Sequence, residues 1–263
     1  MRTFAVTMLV LGALGCGGGS PETQPAPQAA LRATAEQLDT LVTNARALLD
    51  EGEWNDAAIA YERLLLEMPR GDRRLPATRI ALGDARMGQK SYLQAVREYR
   101  RTADEYPTDS LAPTGLLKAG DAYAKLWRRP ELDPTYGTQA MATWQELLTR
   151  YGDSPVAATA RQRIAGLEEW FALKSFKAAD FYLRYKAYDS AILYLKDLVA
   201  RYPRTTLAPR ALERLVSAYR RLGYQEDVQE MCTYFRSNHP DAPQLAVSCP
   251  LPTAAPSAAV PGG

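Results

Sequence analysis

The chain has 263 residues, of which 46% are hydrophobic and 24% charged, and its formal net charge is only +2. This composition is typical of a folded protein with a large core, and a near-neutral balance gives nucleic-acid binding little electrostatic basis. Short basic clusters such as Arg70, Arg73 and Arg74 are interpreted as solvated helix faces rather than anion sites.

The first fifteen residues have the features of a secretory signal. Arg2 precedes an apolar run from Phe4 to Leu14 that is too short to span a bilayer. Residues 13–16, with the sequence Ala-Leu-Gly-Cys, resemble the bacterial lipobox, in which cleavage precedes the cysteine and that cysteine receives lipid. We therefore predict a lipoprotein signal peptide over 1–15 and lipidation of Cys16. An ordinary secretory signal with an incidental cysteine is the alternative.

Residues 16–30 are predicted to form a lipidated, flexible tether, because they contain almost no large apolar side chains. The fourteen residues after Cys16, 17–30, reach at most about 45 to 50 Å, which keeps the following domain near its membrane. Gly17, in the place where aspartate would act in bacterial sorting, is compatible with delivery to the outer membrane. The expected location is the outer membrane, with the domain facing the periplasm.

A repeated frame organises residues 31–240: a small residue, an aromatic residue four positions later, and Pro or Gly eight positions after that. It occurs as Ala57/Tyr61/Pro69, Ala95/Tyr99/Pro107 and Ala140/Trp144/Gly152, with weaker copies at Ala191/Leu195/Pro203 and Val228/Cys232/Pro240. Residues four apart share one helix face, and Pro or Gly then ends the helix. Each frame is therefore interpreted as the second helix of an antiparallel pair.

The first helices of the pairs carry matching small residues. Ala45 and Gly83 each lie twelve positions before the small residue of the next frame, as does Ala179 before Ala191. This spacing is typical of tetratricopeptide repeats, so we predict an all-α fold, a tetratricopeptide-repeat α-solenoid of about five helix pairs. An irregular helical bundle is the alternative.

Helical offset from the small packing residues predicts a peptide-binding groove on the concave side of pairs one to three. Its predicted residues are Val42, Arg46, Leu49, Ile80, Asp84, Met87, Leu117, Asp121 and Lys125. Interleaved apolar and charged side chains suit an extended or short helical peptide with an aromatic end. The alternative for each residue is a purely packing role.

The C-terminal residues 241–263 are rich in proline and alanine and are predicted to be a disordered tail. Cys232 lies on the last predicted helix and Cys249 in this tail. Export to an oxidising compartment makes a disulfide between them possible, while Cys232 also fits a buried apolar position in the fifth frame. The sequence leaves both interpretations open.

No catalytic residue, metal site or cofactor site is predicted. The single histidine, His239, directly precedes Pro240 at a helix end, where a capping or loop role is expected. The adjacent Glu168 and Glu169 diverge by about 100° on a helix and cannot share a substrate. Glycines 17 to 19 precede no strand and form no phosphate-binding loop.

The segment from 133 to 203 resembles the BamD family, helical-repeat lipoproteins of the outer-membrane β-barrel assembly machine. The residues that follow the family's spacing are Asp133, Pro134, Thr135, Tyr136, Ala140, Trp144, Leu147, Arg150, Tyr151, Ser154, Pro155, Ala158, Arg163, Leu167, Ala179, Phe181, Tyr182, Lys186, Ala187, Tyr188, Ala191, Ile192, Tyr202 and Pro203. An insertion at 127–134 and a long helix over 156–186 are further family features. Tyr194 stands where family members often carry an arginine that meets the BamA subunit.

The resemblance implies a non-enzymatic scaffold that binds unfolded outer-membrane protein segments and a BamA-like β-barrel subunit, together with other lipoproteins of the machine. It also implies docking on BamA through the C-terminal helix pairs. The second hypothesis is a periplasmic tetratricopeptide scaffold lipoprotein of another envelope system, such as pilus assembly or division coordination. Fold alone does not separate the two, because solenoids bind many partners.

Overall fold

The computed structural model describes residues 33–250, so the predicted signal peptide and the whole predicted tether, including Cys16, lie outside the described residues. Over this range the chain forms eleven α-helices and no strand. They are α1 (Ala35–Asp50), α2 (Trp54–Glu67), α3 (Leu75–Gly88), α4 (Tyr92–Glu105), α5 (Ala112–Leu126), α6 (Thr135–Arg150), α7 (Ala157–Arg184), α8 (Tyr188–Arg201), α9 (Ala208–Leu222), α10 (Gln225–Asn238) and α11 (Pro243–Ser248).

The first ten helices form five pairs, in which each helix packs mainly on its neighbours along the chain. Contacts between distant helices are sparse, as in a solenoid whose core is extended from pair to pair. The prediction of an all-α solenoid of five helix pairs is confirmed.

The repeated frame explains the core. Ala57, Ala95 and Ala140 are fully buried. The aromatic partners in the second and third frames, Tyr99 and Trp144, are 1% and 2% exposed. A Cβ atom at Gly83 would overlap the Tyr99 ring, and one at Gly120 would overlap the Trp144 ring. Small residues on one helix therefore make room for large rings from the next, which fixes the close approach of neighbouring helices.

Helix α7 has 28 residues and ends two residues before the predicted limit at Lys186. Lys186 has φ of 58°, in the left-handed region where a non-glycine residue rarely continues a helix. The first half of α7 packs in the same core cluster as α5 and α6, while its second half packs with α8 and α9. The long helix thus joins the N-terminal and C-terminal parts of the array.

The insertion between α5 and α6 is fixed to α7. Trp127 is buried and contacts Phe171, with ring centroids 4.7 Å apart. Lys174 Nζ donates to the backbone carbonyls of Glu131 and Leu132 at 3.3 and 2.9 Å. Through these contacts, the insertion is held against α7 and packs as part of the third and fourth helix pairs.

The C-terminal boundary differs from the expectation of disorder from residue 241 onward. Helix α11 packs on α9 and α10, and Cys249 is joined to Cys232 by a disulfide with a Cα–Cα distance of 5.5 Å. Leu245 and Ala242 supply apolar contacts to the C-terminal core. Composition alone missed this helix because its packing partners lie on two other helices. Residues 251–263 lie outside the described range.

Candidate functional site

A groove of about 700 Å³ lies between α5 and the first half of α7, with the end of α3 at one side. It is called here the concave groove. Its lining residues are Met87, Asp121, Ala124, Lys125, Trp127, Arg128, Trp144, Gln162, Arg163, Gly166, Leu167 and Trp170.

Helical periodicity sets the walls of the concave groove. Asp121 and Lys125 lie four residues apart on α5 and therefore share one face. Arg163, Leu167 and Trp170 follow at intervals of four and three on α7 and form the opposite wall. Helix α6 packs against both α5 and α7 and thereby brings the two faces together across the groove.

An ion pair crosses the groove: Arg163 Nε donates to Asp121 Oδ1 at 3.0 Å. Burial raises the pKa of the Asp121 carboxyl, and the nearby Arg163 guanidinium opposes that shift. Because a partly buried carboxylate costs free energy when it lacks a partner, Arg163 stabilises the ionised form and also links α5 to α7.

A second polar group lies between α3, α4 and α5. Tyr99 Oη donates to Asp84 Oδ1 at 2.6 Å, and Lys118 Nζ donates to the same oxygen at 2.7 Å. Burial, and then the Asp84 charge, raise the pKa of the Tyr99 hydroxyl. Asp84 is therefore occupied by two internal donors and serves to connect three helices.

The apolar part of the groove is built around two tryptophan rings. Trp170 is 39% exposed and packs edge-on against the buried Trp127, with ring centroids 5.7 Å apart. Met87 extends the apolar surface, and Leu167, which is 7% exposed, completes the apolar lining. Lys125 and Arg128 place cationic groups beside it. An apolar strip next to cations can bind an extended or helical peptide through side-chain burial and charge pairing. Among residues 33–250, no group of three or more His, Cys, Asp or Glu side chains is placed to hold a metal ion.

A second surface lies at the end of α7 and the middle of α8. Phe181 packs against Tyr182 and Tyr185, with ring centroids 5.4 and 4.9 Å apart, and Tyr182 stacks on Tyr194 at 5.5 Å. These four rings are called the aromatic patch. Phe181 and Tyr185 are 47% and 72% exposed, so part of the patch faces solvent. Exposed aromatic clusters of this kind are typical of protein interaction sites.

The comparison with protein families covers helices α1 to α9 and most of α10. The model of the YfiO family, described as "Outer membrane lipoprotein", matches residues 34–233. The chain belongs to this family. The match includes both the concave groove and the aromatic patch.

Curated relatives support membership in the YfiO family and confirm the resemblance to BamD. "Outer membrane protein assembly factor BamD" of Caulobacter vibrioides is 24% identical over 90% of this chain and 76% of that protein. BamD of Xylella fastidiosa is 26% identical over 79% and 74% of the two chains. BamD of Vibrio cholerae is 36% identical over 101 residues, which cover 38% of this chain and 42% of that relative.

Solved structures with similar helical arrays include the TPR2AB domain of yeast Sti1 in its pHSP90 complex. It is 13% identical, covers 82% of each chain and gives a TM-score of 0.42. The type IV pilus biogenesis factor PilW is 14% identical, covers 82% of this chain and 99% of its own, and gives a TM-score of 0.34.

No helix of this YfiO-family chain between residues 33 and 250 has the length and apolar character needed to cross a membrane.

The structure brings together three of the nine predicted groove residues, Met87, Asp121 and Lys125. Asp84 lies on the same side of the third helix but is held by Tyr99 and Lys118. In this YfiO-family chain, the predicted residues Asp121 and Lys125 lie on the α5 wall of the groove, and peptide binding there stays a prediction.

The other five predicted residues lie elsewhere. Val42 and Leu49 are partly buried against the N-terminal core, and Arg46 faces solvent, 3.8 Å from Asp50. Ile80 is 9% exposed and belongs to a core cluster. Leu117 is also partly buried, and its carbonyl accepts from Trp144 Nε1 at 3.1 Å. Ile80 and Leu117 therefore pack between helices.

Sequence reasoning missed the α7 wall of the groove. In the sequence, Arg163 and Leu167 stand out only because they follow the spacing of the BamD family, and no motif includes Trp170. The available signal was the period of α7 itself, since residues 163, 167 and 170 fall on one helical face. What the sequence did not show is that this face turns toward α5 rather than toward α8.

Proposed function

We propose that this protein is a non-enzymatic outer-membrane protein assembly factor, a lipoprotein that holds unfolded outer-membrane protein segments in the concave groove. The observation that carries the proposal is the groove itself, in which the partly exposed Trp170 lies beside the cations Lys125 and Arg128 between two helical walls. The curated relatives share the assembly-factor name, which supports the same role here. The alternative, a scaffold of another envelope system, has no specific structural feature in its favour.

The groove supports binding of an apolar segment rather than chemical turnover. Trp170 and Met87 offer surface that a β-strand or short helix with aromatic side chains would bury. Lys125 and Arg128 would pair with acidic groups or chain-end carboxylates of the same segment. The ion pair between Asp121 and Arg163 holds both walls before the segment arrives, which reduces the entropy cost of binding.

The groove is tested by fluorescence anisotropy with labelled peptides from outer-membrane β-strands that end in an aromatic residue. We expect Trp170→Ala to weaken binding about tenfold, because a buried aromatic contact contributes about 1 to 2 kcal/mol. Trp54→Ala is the matched control, since Trp54 has the same exposure, 39%, but does not line the groove. Equal affinities of the two variants would overturn the groove assignment.

The cationic border has its own matched pair of variants. Arg128 lines the groove, whereas the adjacent Arg129 does not, and both side chains are exposed. We expect Arg128→Glu to weaken binding of acidic peptides and to reduce its salt dependence, while Arg129→Glu changes neither. A similar loss of affinity in both variants would show that the peptides respond to the overall charge of the surface and not to the groove.

We further propose that the aromatic patch faces a BamA-like β-barrel subunit. Its position on the fourth pair matches the docking region implied by the family resemblance, with Tyr194 in place of the frequent arginine. Photo-crosslinking from Tyr194 and Tyr188 in detergent extracts is expected to capture a large β-barrel protein. A crosslinker at the exposed Leu66 of α2 serves as the control. Capture from Leu66 but not from Tyr194 would contradict this orientation.

Membrane attachment is proposed to depend on lipid at Cys16. We expect Cys16→Ser to move the protein from the outer-membrane fraction to the soluble periplasmic fraction, while the helical fold is retained. Mass spectrometry of the N-terminal peptide would detect the acyl chains directly. Co-purification with a β-barrel subunit and other lipoproteins, rather than with pilus or division proteins, separates this proposal from the alternative system.

A further inference from the structure

Glycines inside the helices of residues 33–250 make room for other parts of the chain at five of their six positions. A Cβ atom added at any of these five would come within 2.2 to 2.6 Å of a neighbour, closer than real Cβ atoms approach. At Gly115 the neighbour is the backbone of α4, and at the other four it is an aromatic ring. The four pairs of glycine and ring are Gly83 with Tyr99, Gly88 with Trp54, Gly120 with Trp144, and Gly137 with Trp127.

Gly166 is the sixth helical glycine, and it differs from the other five. It lies in the first half of α7, and no atom comes within 4 Å of the position that its Cβ atom would occupy. Glycine in a helix interior costs about 1 kcal/mol relative to alanine, and no contact within the chain accounts for that cost here. Gly166 is exposed and lines the concave groove.

The residues one turn away from Gly166 border an open space on the α7 wall. Gln162 and Trp170 lie four positions before and after Gly166 on the same helix face, and both line the groove. Because helical side chains lean toward the N-terminus of their helix, the Trp170 side chain leans toward the turn that contains Gly166. Its ring packs edge-on against Trp127, and none of its atoms lies within 4 Å of the Gly166 Cβ position. The concave groove therefore contains bare helix backbone beside a partly exposed indole ring.

We infer that Gly166 receives an aromatic side chain of the polypeptide bound in the concave groove, as Gly120 receives the Trp144 ring within the chain. This inference rests on the proposed function and names the side chain that the groove recognises. A ring placed against the backbone of α7 at Gly166 would also contact the Trp170 ring, in the offset or edge-on geometry that aromatic pairs prefer. The groove, with a volume of about 700 Å³, has the size of a ligand pocket. Any side chain at position 166 would occupy the space that the bound ring needs.

Substitution of Gly166 tests this inference because binding and stability should change in opposite directions. The protein is the mature chain with Cys16→Ser, and the probe is a labelled peptide from an outer-membrane β-strand with phenylalanine as its one aromatic residue. We expect Gly166→Leu to weaken binding at least tenfold, measured by fluorescence anisotropy. The midpoint of urea denaturation should stay the same or rise, because leucine forms helices better than glycine. Gly166→Ala should show the same two changes with a smaller loss of affinity.

The matched control is Ala165→Leu. Ala165 is the preceding residue of α7 and is also exposed, but it does not line the groove. We expect Ala165→Leu to change the affinity less than twofold. Unchanged affinity in Gly166→Leu, or an equal loss in Ala165→Leu, would overturn the role of Gly166.

A peptide series tests whether the group at Gly166 is a ring. In two further peptides, leucine or alanine replaces the phenylalanine. We expect the wild-type protein to bind the phenylalanine peptide at least fivefold more tightly than the leucine peptide, and Gly166→Leu to reduce this preference below twofold, as direct coupling requires. A preference that persists in Gly166→Leu would overturn the inference and leave the proposed function in place. Absence of binding of all three peptides to the wild-type protein would overturn the proposed function and this inference together.

Discussion

Arg163 of α7 and Asp121 of α5 form a hydrogen-bonded ion pair across the concave groove, 3.0 Å from Nε to Oδ1. They lie 42 residues apart in the chain, so the pair fixes the long helix against the third pair. Asp121 is more buried than Arg163. When the ion pair is broken, the larger cost in free energy therefore comes from the unpaired Asp121 carboxylate.

We expect Arg163→Ala to lower the free energy of unfolding by about 1 kcal/mol, since it removes a partly exposed ion pair and leaves a half-buried carboxylate. Urea denaturation monitored by circular dichroism measures this change. Arg161→Ala, at an exposed position two residues earlier, should be near neutral. A double variant with Asp121→Asn should recover part of the loss, and full additivity of the two single effects would rule out direct coupling.

Two glycines inside helices should respond to alanine with opposite signs. A Cβ atom at Gly83 would overlap the Tyr99 ring, so Gly83→Ala should destabilise the protein by about 1 to 3 kcal/mol. Gly166 has no atom within 4 Å of the equivalent position, and Gly166→Ala should stabilise by about 0.5 to 1 kcal/mol through helix propensity. Thermal denaturation of the pair distinguishes packing from propensity; the same sign for both would contradict this account.

The sequence was sufficient for the helix pairs because their signals are local. Ala95 and Tyr99 lie four residues apart on one helix, and Pro107 marks the end of that helix region, so no distant contact had to be known. The groove was only half predictable. Its α5 wall follows from the same offsets, whereas the α7 wall depends on the direction in which one long helix packs.

The C-terminal helix α11, in contrast to the helix pairs, could not be predicted from local sequence signals. Proline and alanine in residues 241–263 give a composition typical of disorder, yet Leu245 packs on the C-terminal core that includes α9 and α10. Cys249 is close to Cys232 only after those helices have folded. Composition reports how much apolar surface a segment carries, and it does not report whether a complementary surface exists elsewhere.

The insertion should loosen when its main link to α7 is removed. Lys174 donates to two backbone carbonyls, those of Glu131 and Leu132, so Lys174→Ala leaves both without this partner. We expect faster hydrogen exchange in residues 129–135 with little change in the midpoint of thermal unfolding. Lys177→Ala removes only the ion pair with the Glu131 side chain and should have a smaller effect. A larger effect for Lys177→Ala would mean that charge, rather than carbonyl bonding, holds the insertion.

The single histidine should make stability depend on pH. His239 packs against Phe235, its Nε2 is buried without a hydrogen-bond partner among the described residues, and burial lowers its pKa below the ordinary 6.5. As pH falls through 6.5, the unfolded chain binds a proton that the folded chain does not, so the unfolded state is favoured. The contribution of neutral His239 to the free energy of unfolding is therefore fully present above pH 6.5. It decreases as the pH falls toward the pKa of His239 in the folded protein.

Urea denaturation at pH 7.5 and 5.5 measures this dependence, and His239→Asn is expected to remove most of it because asparagine does not titrate. Titration of Asp121 has the opposite sign, because burial raises its pKa and proton uptake there favours the folded state as pH falls. The carboxyls of Asp72, Glu131, Asp133 and Glu146 have lowered pKa values and the same sign as His239, so the comparison with His239→Asn is what isolates the histidine. A stability loss of equal size in the wild-type protein and in His239→Asn would assign the pH dependence to another group.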